Sequence, residues 1–290
     1  MDVHLVGAQL LNGVALGAIL SLVALGLTIV FGLLGFVNFA HGALFMAGAY
    51  AGLIVYTRSG SFFAGLLAAA IISFLLGAVI ERVLIRFYYH RPKEDQILVT
   101  FGLAIVLVET VRAIFTGKIQ LVTTPAWGQG AVPVFGFIYP EYRLQVIAIA
   151  AVVLVAVYLV LFKTNIGLVV RAGIDDSLIV SILGINLDRT FLLVFALGAM
   201  FAGFSGMIDA PLLAVNPDVG TDVLVQSFVV IVIGGVGSFA GAILGGLIAG
   251  EIVSLSTAFA SDWSQVFLYV AMALVLILRP QGLLGVEGRA

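Results

Sequence analysis

The chain has 290 residues, of which 62% are hydrophobic and 10% are charged, whereas an average soluble domain is roughly 45–50% apolar and about 25% charged. These proportions exclude a soluble globular protein, because a chain of this length cannot bury so much apolar surface in one core. The 13 basic and 15 acidic residues almost balance, which excludes recruitment of nucleic acid by a strong field, and the lack of cysteine excludes disulfides and thiolate metal sites.

The first part of the chain contains no Asp, Glu, Lys or Arg between Leu5 and Thr57. A helix needs about 20 apolar residues to cross the hydrocarbon core of a bilayer, so this stretch is too long for one crossing. We therefore predict that it turns back around Gly32 to Asn38. The unbroken apolar runs favour helices over the alternating strands of a membrane barrel.

Further charge-free stretches are predicted to form one crossing each, with one exception. The stretch from Val223 to Gly250 contains three closely spaced glycines and is predicted to form one crossing and the start of another that runs on to about Ser256. The other stretches are Ser59–Ile80, Gln96–Val108, Leu144–Phe162, Thr190–Ile208 and Trp263–Leu278. The predicted fold is an all-α, polytopic transmembrane helical bundle of about 8–9 membrane segments with glycine-broken helices, in a single domain over residues 1–290.

Basic residues indicate the orientation, because they accumulate in short loops on the cytoplasmic side of a membrane. Most of them border the predicted loops on one face, which places the amino terminus outside and the carboxyl terminus in the cytoplasm. That face has Arg82, Arg86, Arg91, Lys93, Lys163, Arg171, Arg189, Arg279 and Arg289, and the opposite face has Arg58, Arg112, Lys118 and Arg143.

Nucleotide-binding motifs are missing or out of context. The single Gly-Lys pair, Gly117–Lys118, is followed by Ile119, so the chain has no phosphate-binding loop, and any ATP that drives it must bind another chain. The segment Gly235–Ala240 matches the dinucleotide pattern G-x-G-x-x-A but has no soluble βαβ context. We predict instead that its glycines break a helix and that Ser238 satisfies a freed backbone group.

A similar glycine-flanked Phe-Ala pair occurs in Gly35–Ala43 and in Gly234–Ala242. Interrupted hydrophobic segments in matching positions of a transporter point to its substrate pathway. The matches are too short to distinguish parallel from inverted repeats, and a helix-capping or loop-tying role is an equal alternative for His41. The predicted pathway residues are Asn38, His41, Gly42, Gly234, Gly235, Gly237 and Ser238.

Charged groups and small residues within the apolar runs predict helix contacts. Glu109 and Arg112 are spaced i,i+3 and are predicted to pair with each other. Glu251 is the lone acidic residue of its predicted helix and is expected to hold a neighbouring helix or subunit. The small-residue spacing in Gly241–Gly245 and Gly246–Gly250 predicts close helix packing.

The loop 163–189 is predicted to be cytoplasmic and to contain a short amphipathic helix. Asp175, Asp176 and Ser177 can cap that helix, and Gly184 can end it. Such a helix can dock in a groove of a partner protein or lie on the bilayer. The acidic start favours docking, because it would avoid an anionic leaflet. The apolar side of the helix consists of Leu178, Ile179, Ile182 and Leu183.

Several of these segments resemble the permeases of branched-chain amino acid ABC importers, and they occur in the order of that family over nearly the whole chain. In length and in its Asn-Phe-Ala-His-Gly segment, the chain is similar to the smaller of the two permeases in such systems. The similar segments are Asn12–Gly13, Gly35–Gly42, Glu81–Arg82, Leu183–Asn186, Asn216–Pro217, Ile233–Ser238 and Arg279–Gly285.

The resemblance implies a permease subunit that forms the translocation pathway for leucine, isoleucine and valine in the inner membrane of a prokaryote. It implies a heterodimer with the larger permease, two cytoplasmic ATPase subunits and an extracytoplasmic substrate-binding protein. It also suggests that the region from Arg171 to Gly184 couples to the ATPases. The loop departs from the importer-wide pattern that begins Glu-Ala-Ala, since Asp175–Asp176 stand near the acidic position, so individual coupling contacts stay open.

Three alternatives remain open. Relatives that import urea or short amides are similar over the same segments. A secondary transporter would need ion-coupling residues within the bundle, for which Glu109 and Glu251 are the candidates. A membrane enzyme would need clustered catalytic groups, and the three histidines are scattered, so we predict a transport subunit without cofactor or metal rather than an enzyme.

Overall fold

The computed structural model describes residues 3–134, 136–175, 180 and 182–285. Helices make up most of these ranges, with one antiparallel hairpin of strands β1 (Ala131–Val134) and β2 (Phe137–Pro140). The helices are α1 (Val3–Leu34), α2 (His41–Ser59), α3 (Phe62–Val83), α4 (Lys93–Phe115), α5 (Glu141–Lys163), α6 (Asn165–Asp175), α7 (Leu187–Leu213), α8 (Val219–Gly234), α9 (Phe239–Ala260) and α10 (Ser264–Leu278).

The prediction of a polytopic helical bundle is confirmed. Within the described ranges, six helical stretches are long and apolar enough to cross a membrane, and Phe239–Leu278 is counted among them as one stretch. That stretch is α9 and α10, which are joined by a 3₁₀ turn and pack against each other. Outside these six stretches, α8 is a shorter apolar helix, and α2 with its 19 residues is not among the six. α8 has 16 residues and therefore spans about 24 Å, less than a full hydrocarbon core.

Both predicted interruptions of the apolar runs are present. α1 ends at Leu34 and α2 begins at His41, so the chain turns back where the sequence indicated. α8 ends at Gly234 and α9 begins at Phe239, which divides the long stretch from Val223 at its glycines. We call residues 35–40 the first break and residues 235–238 the second break.

The described residues divide into two compact units. α1, α5 and α8 each contribute residues to both units. The first unit is formed within Met1–Ala24, Thr123–Val153 and Val225–Ala290, and the second unit within Leu25–Val122 and Leu154–Leu224.

In the second unit, glycines bring the backbones of α2, α3 and α7 close together. A Cβ atom at Gly48 would overlap the backbone of Gly203, and one at Gly206 would overlap the carbonyl group of Phe45. The opposite side of Gly203 faces Ser73 of α3. Helices in lipid gain little from the hydrophobic effect, so close backbone approach and its van der Waals contacts hold these three helices together.

In the first unit, α9 packs on α1 with one surface and on α8 with another. A Cβ at Gly250 would overlap the backbone of α1, and Ser21 donates a hydrogen bond from its Oγ to the Ile243 carbonyl oxygen at 3.1 Å. On the other surface, a Cβ at Gly241 or Gly245 would overlap the backbone of α8. Both predicted small-residue pairs of α9 therefore make close helix contacts, as the spacing indicated.

The predicted pairing of Glu109 with Arg112 is confirmed, with 3.7 Å between Oε1 and Nε. Arg112 also binds Asp218 near the start of α8, with 2.7 Å between Nη2 and Oδ1. All three side chains are well exposed, so these ion pairs add little stability on their own. Glu251 lies against Gly13 of α1, where its Cδ is 2.6 Å from the position that a Cβ at Gly13 would occupy.

Candidate functional site

The first break is a tight turn closed by the side chain of Asn38. Gly35 has φ +57°, which glycine adopts without steric cost. Asn38 is buried, and its Oδ1 accepts a hydrogen bond from the Ala40 amide at 3.0 Å. This is the local bond by which asparagine stabilises turns, and here it leads the chain into α2.

Helix α4 supplies a second partner to the first break. Thr100 is fully buried, and its Oγ1 accepts a hydrogen bond from the Phe39 amide at 3.1 Å. The hydroxyl proton has three acceptors within reach, the carbonyl oxygens of Gln96 at 2.8 Å, Ile97 at 3.2 Å and Val37 at 3.4 Å. Thr100 therefore satisfies backbone groups that the interruption of the helix has freed, as membrane interiors require.

His41 and Gly42 form the first turn of α2 and pack against other helices of the second unit. His41 is fully buried, and its Cε1 lies 3.2 Å from the position that a Cβ at Gly26 of α1 would occupy. A Cβ at Gly42 would overlap the carbonyl oxygen of Gly220 at the start of α8. Both residues thus have a packing role, and their predicted role in the pathway stays a prediction.

The second break contains two glycines in the left-handed region, Gly235 with φ +107° and Gly237 with φ +74°. Ser238 caps α9, since its Oγ accepts a hydrogen bond from the Gly241 amide at 3.0 Å. A Cβ at Gly234 would overlap the Gly241 carbonyl, so α8 and α9 are in backbone contact where they meet. The prediction of a glycine break with Ser238 as a backbone partner is confirmed.

The segment after α10 satisfies the last carbonyl groups of α8. The amides of Leu283 and Leu284 donate hydrogen bonds to the carbonyl oxygens of Ile233 and Gly234, both at 2.9 Å. The last four carbonyls of any helix have no partner within that helix, so a broken membrane helix needs such donors. Gly282, with φ +81°, makes the turn that presents these amides. This pairing was not predicted from the sequence. The resemblance of the segment Arg279–Gly285 to the family was the one feature of the sequence that drew attention to these residues.

The predicted pathway residues therefore form two groups, one at each break. The group at the first break, Asn38, His41 and Gly42, belongs to the second unit. The group at the second break belongs to the first unit and consists of Gly234, Gly235, Gly237 and Ser238. Asn38 and Ser238 both use a side-chain oxygen to accept a backbone bond. The polar side chains of the breaks are thus engaged in holding the turns closed.

The loop 163–189 contains α6, a helix that sequence reasoning did not assign. Thr164 precedes α6 and accepts a hydrogen bond from the Gly167 amide at 3.3 Å, which is the capping signal that could have revealed it. Arg171 lies in α6 with its guanidinium carbon 4.8 Å from the centre of the Phe162 ring. Asp175 is the last residue of α6.

The predicted amphipathic helix is described only at its end. Asp176 and Leu178 lie outside the described residues, and so do Ser177 and Ile179. Ile182 and Leu183 are 76% and 73% exposed. Gly184 has φ +81°, and the Ile185 amide lies 3.4 Å from the Val180 carbonyl oxygen, an arrangement typical of a glycine that ends a helix. The predicted role of Gly184 as a helix stop is confirmed.

A polar cluster in the first unit was not predicted. Asn12 of α1 accepts hydrogen bonds at Oδ1 from Tyr139 at 3.0 Å and from Arg143 at 2.5 Å. Gln9 accepts bonds at Oε1 from Asn12 at 3.2 Å and from Ser254 of α9 at 2.9 Å. Burial raises the pKa of the Tyr139 hydroxyl, so this group remains a neutral donor. The cluster joins α1, α5, α9 and the hairpin strand β2.

A metal-binding constellation is absent from the described part of the chain, where no three His, Asp or Glu side chains are placed to hold an ion. The arrangement of the described residues is that of interrupted, closely packed helices with internally paired breaks.

Comparison with known proteins gives consistent matches over nearly the whole chain. The family model described as "Branched-chain amino acid transport system / permease component" matches residues 9–276. The high-affinity branched-chain amino acid transport system permease protein LivH of Salmonella typhimurium is 31% identical over 96% of this chain and 94% of its own. BraD of Pseudomonas aeruginosa, with the same description, is 28% identical over 96% and 95%. LivM of Escherichia coli is 28% identical over 91% of this chain and 67% of its own.

Replacing Gly235 by valine is expected to loosen the second break. Valine is strained at φ +107°, and its Cβ would lie 2.6 Å from the Gly285 Cα and 3.0 Å from the Gln281 carbonyl oxygen. Strain of this kind costs on the order of 1–3 kcal/mol. We expect the purified Gly235→Val protein to unfold at a lower temperature than the wild type.

Gly102→Val is the matched control, because a Cβ at Gly102 of α4 has open space around it. This variant should unfold at the same temperature as the wild type. Equal unfolding temperatures for wild type and Gly235→Val would show that the backbone at Gly235 does not require glycine.

Proposed function

The chain belongs to the family of permease components of branched-chain amino acid transport systems, and from this premise we propose that it forms part of the translocation pathway of an ATP-driven importer. The observation that carries the proposal is the family match over residues 9–276. The resemblance found in the sequence is thereby confirmed, and the chain is a multi-pass membrane protein. The proposed substrates are leucine, isoleucine and valine, in keeping with the descriptions of the relatives.

The character of the first break supports an apolar solute. Phe36, Val37 and Phe39 flank Asn38, whose side-chain oxygen is already bonded to the chain. A pathway beside this break would offer few free polar groups and would suit amino acids with aliphatic side chains better than urea or short amides. An importer gains nothing from tight binding within the membrane, because strong binding there slows release.

The proposed partners are a second permease, two cytoplasmic ATPases and an extracytoplasmic binding protein. The similarity to both LivH and LivM supports two related permeases side by side. The sequence has no phosphate-binding loop, so ATP must bind to other chains. The chain itself is proposed to be a transport subunit without enzymatic activity or cofactor.

The proposed orientation has the amino terminus outside and the carboxyl terminus in the cytoplasm of a prokaryotic cell. The excess of basic residues around 82–93, 163–189 and 279–289 supports it. In this orientation the loop 163–189 faces the ATPases. The exposed Ile182 and Leu183 then offer an apolar surface for docking, next to the glycine stop at Gly184.

The alternative of a secondary transporter finds less support. Glu109 is exposed and pairs with Arg112, so it is not placed to carry an ion through the bundle. Glu251 remains as the candidate, packed against Gly13 of α1. ATP dependence of uptake separates this alternative from the importer.

The decisive experiment is uptake by the complete complex, with both permeases and both ATPases in vesicles and the binding protein added. We expect labelled leucine to accumulate only with ATP, and unlabelled isoleucine and valine to compete. Urea and acetamide should not compete at equal concentration. Accumulation without ATP would contradict the importer, and competition by urea or acetamide alone would assign the chain to the alternative substrates.

The coupling surface is tested by Leu183→Asp. Burying a charge in an apolar groove is costly, so we expect this variant to dissociate the ATPases or to reduce ATP-dependent uptake at least about ten-fold. Leu121→Asp is the control, because Leu121 is 85% exposed and lies in the loop between α4 and α5. Full uptake by an assembled Leu183→Asp complex would refute docking through this residue.

A further inference from the structure

Tyr89 lies between α3 and α4, in the turn after the 3₁₀ segment Ile85–Phe87, and contacts two distant parts of the second unit. Its ring packs edge-on against Phe36 of the first break, with 5.8 Å between ring centres. It also packs edge-on against Phe191 of α7, at 5.1 Å. Phe191 lies two residues after the end of the loop 163–189, in the first turns of α7. One side chain therefore touches both the first break and the helix that leaves the proposed coupling loop.

The Tyr89 hydroxyl group fixes the ring in this position. It donates a hydrogen bond to Glu81 Oε1 at 2.9 Å, and Glu81 is only 2% exposed at the end of α3. Burial, together with the neighbouring Glu81, raises the pKa of Tyr89, so the hydroxyl stays protonated at physiological pH and keeps donating. Two edge-to-face ring contacts and one hydrogen bond to a buried acid leave the ring little freedom to move alone.

The turn that contains Tyr89 is held by an ion pair before Tyr89 and by hydrogen bonds after it. Arg86 forms an ion pair with Asp188 at the start of α7, with 3.5 Å between Nη2 and Oδ2. On the other side, Gln96 donates from Nε2 to the carbonyl oxygens of Tyr88 at 3.2 Å and Arg91 at 3.1 Å. One turn further along α4, Thr100 bonds the first break.

A second contact connects the loop 163–189 with the chain next to the first break. Gly173 of α6 faces Leu33 at the end of α1, where a Cβ at Gly173 would lie 2.5 Å from Leu33 Cδ1. Leu33 is two residues before Gly35, so the loop 163–189 contacts the end of α1 next to the first break. Closely packed side chains transmit displacement because the interior has few voids to absorb it.

We infer that Tyr89 is a positioning residue that transmits movement of the loop 163–189 to the first break during transport. This inference rests on the proposed function. When ATPase closure moves the loop and the start of α7, Phe191 carries the Tyr89 ring with it, and the ring displaces Phe36. Without this ring, the ATPases would continue to hydrolyse ATP, but the first break would no longer move.

The test uses the complete transport complex with three variants of this chain. Tyr89→Leu removes both ring contacts, and Tyr89→Phe keeps the rings and removes the bond to Glu81. Tyr88→Leu is the matched control, since Tyr88 makes none of these ring contacts among the described residues. The readout is labelled leucine taken up per ATP hydrolysed. We expect about a ten-fold fall for Tyr89→Leu, a small change for Tyr89→Phe and none for Tyr88→Leu.

A second readout does not depend on the substrate. The chain has no cysteine, so Val37→Cys places a single thiol in the first break, and its rate of maleimide labelling is measured with and without ATP. In the otherwise wild-type complex, ATP should change that rate. In the Tyr89→Leu complex, ATP should leave it unchanged while hydrolysis continues.

The outcomes separate this inference from the proposed function. Wild-type uptake per ATP in Tyr89→Leu, together with the same ATP-dependent change in labelling rate as in the wild type, would overturn the inference alone. Parallel loss of hydrolysis and uptake in Tyr89→Leu would also overturn it, because that pattern reflects assembly rather than transmission. A wild-type complex that shows no ATP-dependent uptake would refute the proposed function, and the inference with it.

Discussion

Every backbone amide and carbonyl group inside a bilayer must find a partner within the protein, and the two breaks are where this chain meets that requirement outside a regular helix. At the first break, Thr100 of α4 accepts a bond from the Phe39 amide and Asn38 closes the turn. At the second break, the amides of Leu283 and Leu284 bond to the last carbonyl groups of α8. Each interruption therefore depends on a segment far away in the sequence, and that dependence ties the breaks to the rest of their units.

Glycine surfaces provide the second condition for this architecture. Helices in lipid are held by close contact rather than by hydrophobic burial, so the backbones must approach. Gly48 with Gly203 in one unit, and Gly250 with α1 in the other, allow that approach. In the proposed function, the substrate would meet mainly apolar groups, which suits amino acids with aliphatic side chains.

Features that depend on local composition could be predicted from the sequence. Contacts between residues that are distant in the sequence could not. Charge-free runs and clustered glycines located the break after Leu34 and the one at Gly234, and the i,i+3 spacing predicted the Glu109–Arg112 pair. The third partner, Asp218, lies in the turn before α8, far away in the sequence, and has no local signature. The same reason explains why Thr100 and the segment after α10 were missed as partners of the breaks. Helix α6 was a different failure, because its capping Thr164 is a local signal that was not used. The coupling and pathway roles of the predicted residues stay predictions.

The most direct test of this account is hydrogen exchange at single amides of the protein in lipid vesicles. If distant segments satisfy the breaks, the amides of Phe39, Leu283 and Leu284 exchange slowly, at rates comparable with those of helix interiors such as α9. Thr100→Val, which keeps the shape of the side chain but removes its oxygen, should then accelerate exchange at Phe39 and leave Leu283 unchanged. Exchange of these amides at the rate of an unstructured peptide would contradict the account.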